Sequence, residues 1–513
     1  MNHQLSKEIL PRVTNPSGIS VPAKTIFDLP EKVIQFGTGA LLRGLPDYFI
    51  DKANKLGLFN GRIVVVKSTG PGAPDVFAPQ DNLYTQVIRG LTNGVINEQF
   101  TINASISRVL SASSQWKEAL ECASNPEMEI VISNTTEVGI CLTDDHIDLD
   151  PPNSYPGKLL AFLYARYQFF KGDRTKGMVI VPTELITGNG DKLLSIVKSL
   201  AESNNLENSF VEWLDASCHF CNSLVDRIVP NTVPDSLRQE IEGQLGYHDQ
   251  LMITSEVYNL WAIETKSKKI KAILSFEKAD EGVVIAEDIT SFRELKLRLL
   301  NGSHTFNCAL AFLSGFETVK EAMENTVFSG FVERIMFTEI SPSIINKDLT
   351  REQAETFSRN VLERFRNPYI DHKWLAITLN FSSKMAMRNA SLIFGYSERF
   401  GSVPSCMSLG FASFLLFMKG KPDGEKYYGE WHGKKYLIND ESAGYFAGVW
   451  SAHQGIDLVV TVLRNTALWG SDLNQIQGLA ESIWCYLEQL HDGNPLKIME
   501  ALIGQPVDEK IRG

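Results

Sequence analysis

Four short apolar runs punctuate the first 184 residues: KVIQFGTG (32–39), RIVVVKS (62–68), MEIVISNTT (128–136) and GMVIVPTE (177–184). Each ends in turn-forming or polar residues, and amphipathic stretches such as Leu42 to Leu56 and Trp116 to Ala123 lie between them. Strands that are apolar at nearly every position, separated by helices, predict a largely parallel sheet covered on both faces. From about Ser291 the texture changes. Helical periodicity dominates over 291–314, 317–339, 351–365, 370–388, 404–419, 443–465 and 473–490, as in Ile476, Leu479, Ile483, Leu487 and Leu490. Residues 421–440 interrupt this half with a Gly-, Tyr- and charge-rich surface excursion expected to hold a short hairpin. At 513 residues the chain exceeds one core of ordinary size. The predicted division is an α/β domain over 1–289 and a mostly α-helical domain over 290–513.

The charge balance narrows the partners. With 49 Lys+Arg against 61 Asp+Glu the net charge is −12, and no basic block is present, which argues against nucleic acid or an anionic membrane surface. The strongest apolar run, LGFASFLLFM (409–418), is half the ~20 residues needed to span a bilayer. The N-terminal segment MNHQLSKEILPRVT lacks the apolar stretch of a secretory signal. Seven mostly isolated cysteines fit a reducing compartment, and a cytoplasmic location is expected. Cys218 and Cys221 form a CxxC around His219, but no second ligand pair follows at zinc-finger spacing, and the apolar neighbours point to an ordinary buried segment. No metal site is expected.

Gly37-Thr38-Gly39 follows the first apolar run and precedes a helical one. Glycines there allow a tight turn and let backbone N–H groups approach a pyrophosphate, as in Rossmann-like dinucleotide-binding domains. Leu42 stands where the GxGxxG fingerprint has its third glycine, so the turn alone also fits an ordinary strand-to-helix connection. The second run ends in Lys67-Ser68 rather than in an acidic residue for a ribose hydroxyl, which leaves NAD and NADP both open.

A second constellation lies in ELKLRLLNGSHTFNCALAFL, which reads as one helix carrying Lys296, Asn301 and His304. At ~100° per residue, His304 and Asn301 fall ~80° and ~140° around the helix from Lys296, so all three share one side. A Lys with lowered pKa serves as acid or base, an amide donates to an oxyanion, and an imidazole orients a hydroxyl. A surface Lys and a capping Asn would give the same spacing.

The K-x4-N-x2-H pattern at the head of a helical half resembles the signature of the polyol-specific long-chain dehydrogenase/reductase family. The likeness extends to IQFGTGALLRG (34–44), QDNLYT (80–85), SNTTEVGI (133–140), PTELITGNG (182–190), NSLVDRIVP (222–230) and RFRNPYI (364–370). Within the family, SNTTEVGI, PTELITGNG and YYGEWHGKKYLIND resemble the branch that interconverts tagaturonate and altronate. The mannitol and fructuronate branches usually carry Cys-Asp-Asn where this chain has Thr183-Glu184-Leu185.

The resemblance implies a metal-independent oxidoreductase using NAD, with NADP not excluded. Ile34, Gln35, Phe36, Gly37, Thr38, Gly39, Ala40, Leu41, Leu42, Arg43 and Gly44, with Thr136 and Glu137, would hold the dinucleotide. Lys296 would be the general acid or base, with its pKa lowered by burial. Asn301 and Asn189 would steady the oxyanion, although Asn189 alone also reads as an Asn-Gly turn. His304 would orient the substrate. Asp226 would lie near the cleft, or form an internal ion pair with Arg227. A uronate adds a carboxylate, so a further cation is needed, from His372, Lys373, Lys384 or Arg388. The partner is a small sugar acid, and monomer and homodimer are both open. The alternatives are the fructuronate or mannitol activity of the same family, or a dinucleotide-binding protein without turnover.

Overall fold

The computed structural model describes residues 3–13, 18–68, 75–135 and 139–506. The chain divides into two compact units, Met1–Ile289 and Thr290–Gly513.

The first unit is built on six parallel strands: β1 (Glu31–Phe36), β2 (Arg62–Lys67), β3 (Ile106–Ser111), β4 (Ile130–Ser133), β5 (Val179–Pro182) and β6 (His219–Phe220). Their spatial order is β3-β2-β1-β4-β5-β6, which is the doubly wound dinucleotide-binding order with its reversal between β1 and β4. Alternate side chains feed two cores. Val33, Ile63, Val65, Ile132 and Val181 pack with Leu42, Phe49 and Trp261, while Ile34, Phe36, Val64, Val131 and Ile180 pack with Trp116, Leu159 and Phe162. Burial on both faces is why these strands read as continuous apolar runs. Phe36 lies opposite both Val66 and Ser133, and Ser133 lies opposite Pro182, so the strands end in one row. Gly37, Asn134 and Thr183 therefore sit together just beyond it.

Beside a two-strand pairing of His3–Gln4 with Tyr247–His248, two three-stranded sheets were not expected. Tyr84–Thr92 and Val95–Asn103 form a hairpin, and Ile253–Glu256 joins it in parallel. Its turn is Asn93-Gly94, both at positive φ (53° and 74°), as the tight hairpin turns require. Ser223–Asp226, Leu260–Glu264 and Val283–Ala286 make the other.

The second unit is helical, as its periodicity predicts. All of the run 409–418 but its last residue lies in Ser405–Phe417, a helix buried on nearly every side. Pro404 offers that helix no side-chain cap, and buried Glu339 supplies one, accepting from the N–H groups of Cys406 and Met407 at 2.8 Å each. The excursion at 421–440 is a three-stranded meander, Gly420–Asp423, Lys426–Trp431 and Lys434–Ile438, one strand more than a hairpin. Three helical stretches are π rather than α: Leu295–Gly302, Ile335–Ile340 and Ala386–Ala390. Among the described residues no helix is long and apolar enough to cross a membrane.

Candidate active site

At the carboxyl end of β1 the chain turns at Gly37, whose φ of +123° excludes most side chains. A β-carbon there would come within 2.9 Å of Leu42 Cδ1 and 3.2 Å of the Asn134 carbonyl. Leu42, in the place of the third glycine, fills the space beneath the turn and joins the core. Gly39 opens helix α1 (Ala40–Gly44) with nothing within 4 Å of its β-carbon position, so its backbone is approachable.

The other residues of 34–44 anchor this turn. Ile34 and Phe36 are core, Ala40 is buried, and Leu41 packs against the core. Gln35 Nε2 lies 3.3 Å from the Gly37 carbonyl and 3.4 Å from the carboxylate of buried Asp47, whose pKa burial pushes up to about 8. Arg43 donates to the Leu251 carbonyl, and its own carbonyl accepts from Tyr84 Oη. The Gly44 carbonyl, at the end of α1, accepts from Arg227 Nη1 (2.8 Å) and Gln86 Nε2 (3.1 Å). Of the eleven residues, Gly37, Thr38 and Gly39 form the turn itself, while the flanking ones hold it in place. Thr136 and Glu137 lie outside the described residues.

The tails of β4 and β5 are tied together. Asn134 Nδ2 donates to the Thr183 carbonyl and hydroxyl (3.0 and 2.9 Å). Buried Glu184 accepts from the Thr135 N–H at 2.8 Å and from the Ser133 hydroxyl at 3.2 Å, and burial raises its pKa. Asn189 begins helix α2 (Asn189–Ser203) and is fully buried. Its Nδ2 lies 3.0–3.1 Å from the carbonyls of Pro182, Glu184 and Ser223, and its Oδ1 accepts from the N–H groups of Gly190 and Ser223. The expectation that Asn189 steadies a substrate oxyanion does not fit this geometry: its two amide protons are already committed to backbone. Asp226 is buried in Ser223–Asp226, and Arg227 does not pair with it. Arg227 instead donates to the carbonyls of Glu256 and Gly44 and sits 4.6 Å from the Tyr48 ring.

The CxxC does not form a ligand pair. Cys218 packs in one core of the sheet and Cys221 in the other, as residues three apart along a strand must. Burial pushes both thiols up to about 12. Among the described residues, no group of three or more His, Cys, Asp or Glu is placed to hold a metal ion.

In the second unit, Lys296 and Asn301 both lie in the π stretch Leu295–Gly302, and His304 lies just beyond it. This corrects the α-helical wheel. Hydrogen bonds in a π stretch run from i to i+5, so Asn301 comes about one turn from Lys296 rather than well around the helix. Lys296 is half-buried, and among the described residues the Asn301 amide has no hydrogen-bond partner. The buried His304 ring stacks on Phe365 (centroids 4.0 Å apart) and meets His372 and Trp374 edge-on at 5.2 and 5.7 Å. Burial, then His372, Arg364 and Arg388, hold its pKa well below the usual value, so the imidazole is neutral.

Those neighbours form a cationic cluster. Arg388 Nη1 donates to Thr305 Oγ1 at 3.1 Å, and Lys384 Nζ donates to the Ile377 carbonyl at 2.9 Å. Burial lowers the pKa of both, and the adjacent Arg388 lowers that of Lys384 further. His372 is lowered by burial and then by Lys384. Asp440, the carboxylate whose field reaches Lys384, is already engaged by Ser382 and Ser442. Lys373 does not join, being exposed and paired with Glu317 at 3.0 Å. Two participants were given no role by the sequence reading: Arg364 appeared only within the RFRNPYI segment, and Glu184 only as part of the Thr183-Glu184-Leu185 branch marker.

Comparison with known proteins agrees with this architecture. Residues 31–275 match the family model for the mannitol dehydrogenase Rossmann domain, and 288–491 match that for the mannitol dehydrogenase C-terminal domain. An altronate oxidoreductase of Bacillus subtilis (strain 168) is 38% identical over 478 residues, covering 91% of this chain and 95% of that protein. One from Klebsiella pneumoniae (strain 342) is 36% identical over 470 residues, covering 90% and 94%. Among solved structures, the Pseudomonas fluorescens mannitol 2-dehydrogenase ternary complex with NAD and D-mannitol matches with TM-score 0.68 and 22% identity, covering 98% of this chain and all of that one. A D-sorbitol dehydrogenase in substrate-free form matches with TM-score 0.76 and 18% identity, covering 97% and 100%. These two likenesses bear on the fold.

Proposed function

The chain belongs to the mannitol dehydrogenase family, and from that premise we propose that it interconverts D-tagaturonate and D-altronate with NAD(H). It is an oxidoreductase acting on a CH–OH group. The dinucleotide fits the Gly37–Gly39 turn, where the open space at Gly39 leaves the backbone approachable at the point of strand-order reversal. When bound, it supplies or takes the hydride at the carbonyl carbon.

The chain's own groups handle the proton and the charge. During reduction negative charge grows on the carbonyl oxygen; Lys296 gives that oxygen a proton, and in the reverse direction its amine takes one. The unpartnered Asn301 amide, brought near Lys296 by the π stretch, donates to the same oxygen. Neutral His304, fixed by its stacking on Phe365, orients a neighbouring hydroxyl.

The observation that carries the choice of substrate is the pair of neighbouring cations Arg388, beside His304, and Lys384, beside His372. Two half-buried like charges are eased by a counter-charge, and the carboxylate of a uronate provides one, whereas a neutral polyol does not. The seven cysteines, all free, support a reducing cytoplasm as the setting. Initial rates with tagaturonate, fructuronate and fructose, each with NADH and with NADPH, test this reading. The expected result is the highest kcat/KM for tagaturonate with NADH. Preference for fructose sinks the carboxylate argument, and preference for fructuronate reassigns the stereochemistry.

A further inference from the structure

Two of the π stretches, Leu295–Gly302 and Ala386–Ala390, are braced against each other by their own side chains. Arg298 Nη1 donates to the carbonyls of Met387 (2.9 Å) and Arg388 (2.6 Å), while its Nε pairs with Glu294 at 3.0 Å. In return, Asn389 Nδ2 donates to the Gly302 carbonyl at 3.2 Å, and Arg388 reaches Thr305. The approach is close, since a β-carbon on Gly302 would come within 2.9 Å of Asn389 Oδ1. An eight-residue π stretch is uncommon, because the α register is the ordinary state of a helix. Something must hold it. We propose that Arg298 is a positioning residue: by gripping the two carbonyls of the partner stretch it keeps both helices in π register, with Lys296 and Asn301 on one face and Arg388 turned toward the cationic cluster.

The guanidinium suits the task because it donates along several directions of one plane, bonding Glu294 through Nε and the two carbonyls through Nη1. A lysine offers a single nitrogen and cannot span both. The proposal rests on the reading that Lys296 is the proton donor, and its test separates the two. Arg298→Met and Arg298→Lys, with Lys296→Ala alongside, are followed by amide hydrogen exchange of 295–302 and 386–390, NADH affinity by fluorescence, and kcat per folded molecule.

In Arg298→Met, both stretches should exchange at least about tenfold faster. NADH affinity should stay within about twofold, and kcat should fall by roughly ten- to a hundredfold, the range expected when a reacting group is misplaced by about 1 Å. Arg298→Lys should lie between Arg298→Met and the parent. Unchanged exchange in both stretches overturns the brace. Faster exchange with kcat per folded molecule retained leaves Arg298 a fold-stabilising residue and overturns its positioning role. Retained turnover in Lys296→Ala defeats the functional reading and the positioning role that rests on it.

Discussion

Asn189 and Asn301 carry the same amide and were expected to do the same work, yet their surroundings differ in kind. Asn189, at the strand tails of the first unit, spends its amide on backbone groups of Pro182, Glu184, Gly190 and Ser223. The side-chain amide of Asn301, in the π stretch of the second unit, has no partner among the described residues. The contrast holds for the wider regions. At the strand tails Asn134 donates to Thr183 and Glu184 accepts from Thr135 and Ser133, whereas beside His304 and His372 the half-buried Arg388 and Lys384 lie close enough to lower the pKa of each histidine. Saturated polar groups hold a shape; groups left short of partners are those able to meet a substrate, because leaving them unmatched has a cost that only a ligand offsets.

The sharpest test of this contrast is Lys296→Ala, which should lower keto-uronate turnover by about 10²–10⁴-fold while leaving dinucleotide binding nearly intact. Turnover above about one percent of the parent excludes the proton-donor role. Next comes the pair of asparagines. Asn301→Ala should cost roughly 10²–10³ in kcat with little change in urea stability. Asn189→Ala should cost at least about 2 kcal/mol of stability, since it orphans several buried backbone groups. If Asn189→Ala instead leaves stability unchanged and abolishes turnover, the contrast is wrong.

Arg388→Met should raise KM for the keto-uronate by roughly ten- to a hundredfold, the worth of a charge-assisted hydrogen bond of about 1.5–3 kcal/mol. It should leave any slow turnover of fructose unaffected, and equal losses on both substrates would show that Arg388 does not read the carboxylate. The smallest effect concerns Asp47, the unmatched group beneath the Gly37 turn. Among the described residues neither its Oδ1 nor Gln35 Oε1 has a donor, in keeping with an acid held neutral by burial, at about 8. The folded chain therefore keeps a proton that the unfolded chain, with Asp near 3.9, gives up. Stability from this site is fully present below about 4 and is lost as pH rises toward about 8. Asp47→Asn should flatten the dependence of the urea midpoint on pH across that window, and an unchanged slope would rule Asp47 out as its source.

Much of this molecule was legible before any coordinates. The four apolar runs became β1, β2, β4 and β5, and 351–365 became the helix Arg351–Phe365, because burial on both faces and a 3.6-residue period leave direct marks on local sequence. The hairpin that turns at Asn93-Gly94 was not read from the sequence, because its strands lack the uniform apolar character of the central ones. The Lys296, Asn301 and His304 constellation was visible as a spacing. Its geometry was not, since a wheel drawn at the α period misplaces Asn301 once the helix turns π.

The parallel sheet covered on both faces and the glycine turn were determined by the sequence alone, because each leaves its mark on residues close together in the chain, whereas the order of the strands comes from pairings between distant ones. The tertiary structure decided which polar groups are spent and which are left to act. Asn189 is consumed by Ser223, thirty-four residues away, and Arg364, Lys384 and Arg388 become one charge cluster only when separate helices pack around His304. Hydrogen-bond satisfaction and desolvation are properties of a side chain's neighbours in space, and those neighbours are set by packing rather than by local pattern.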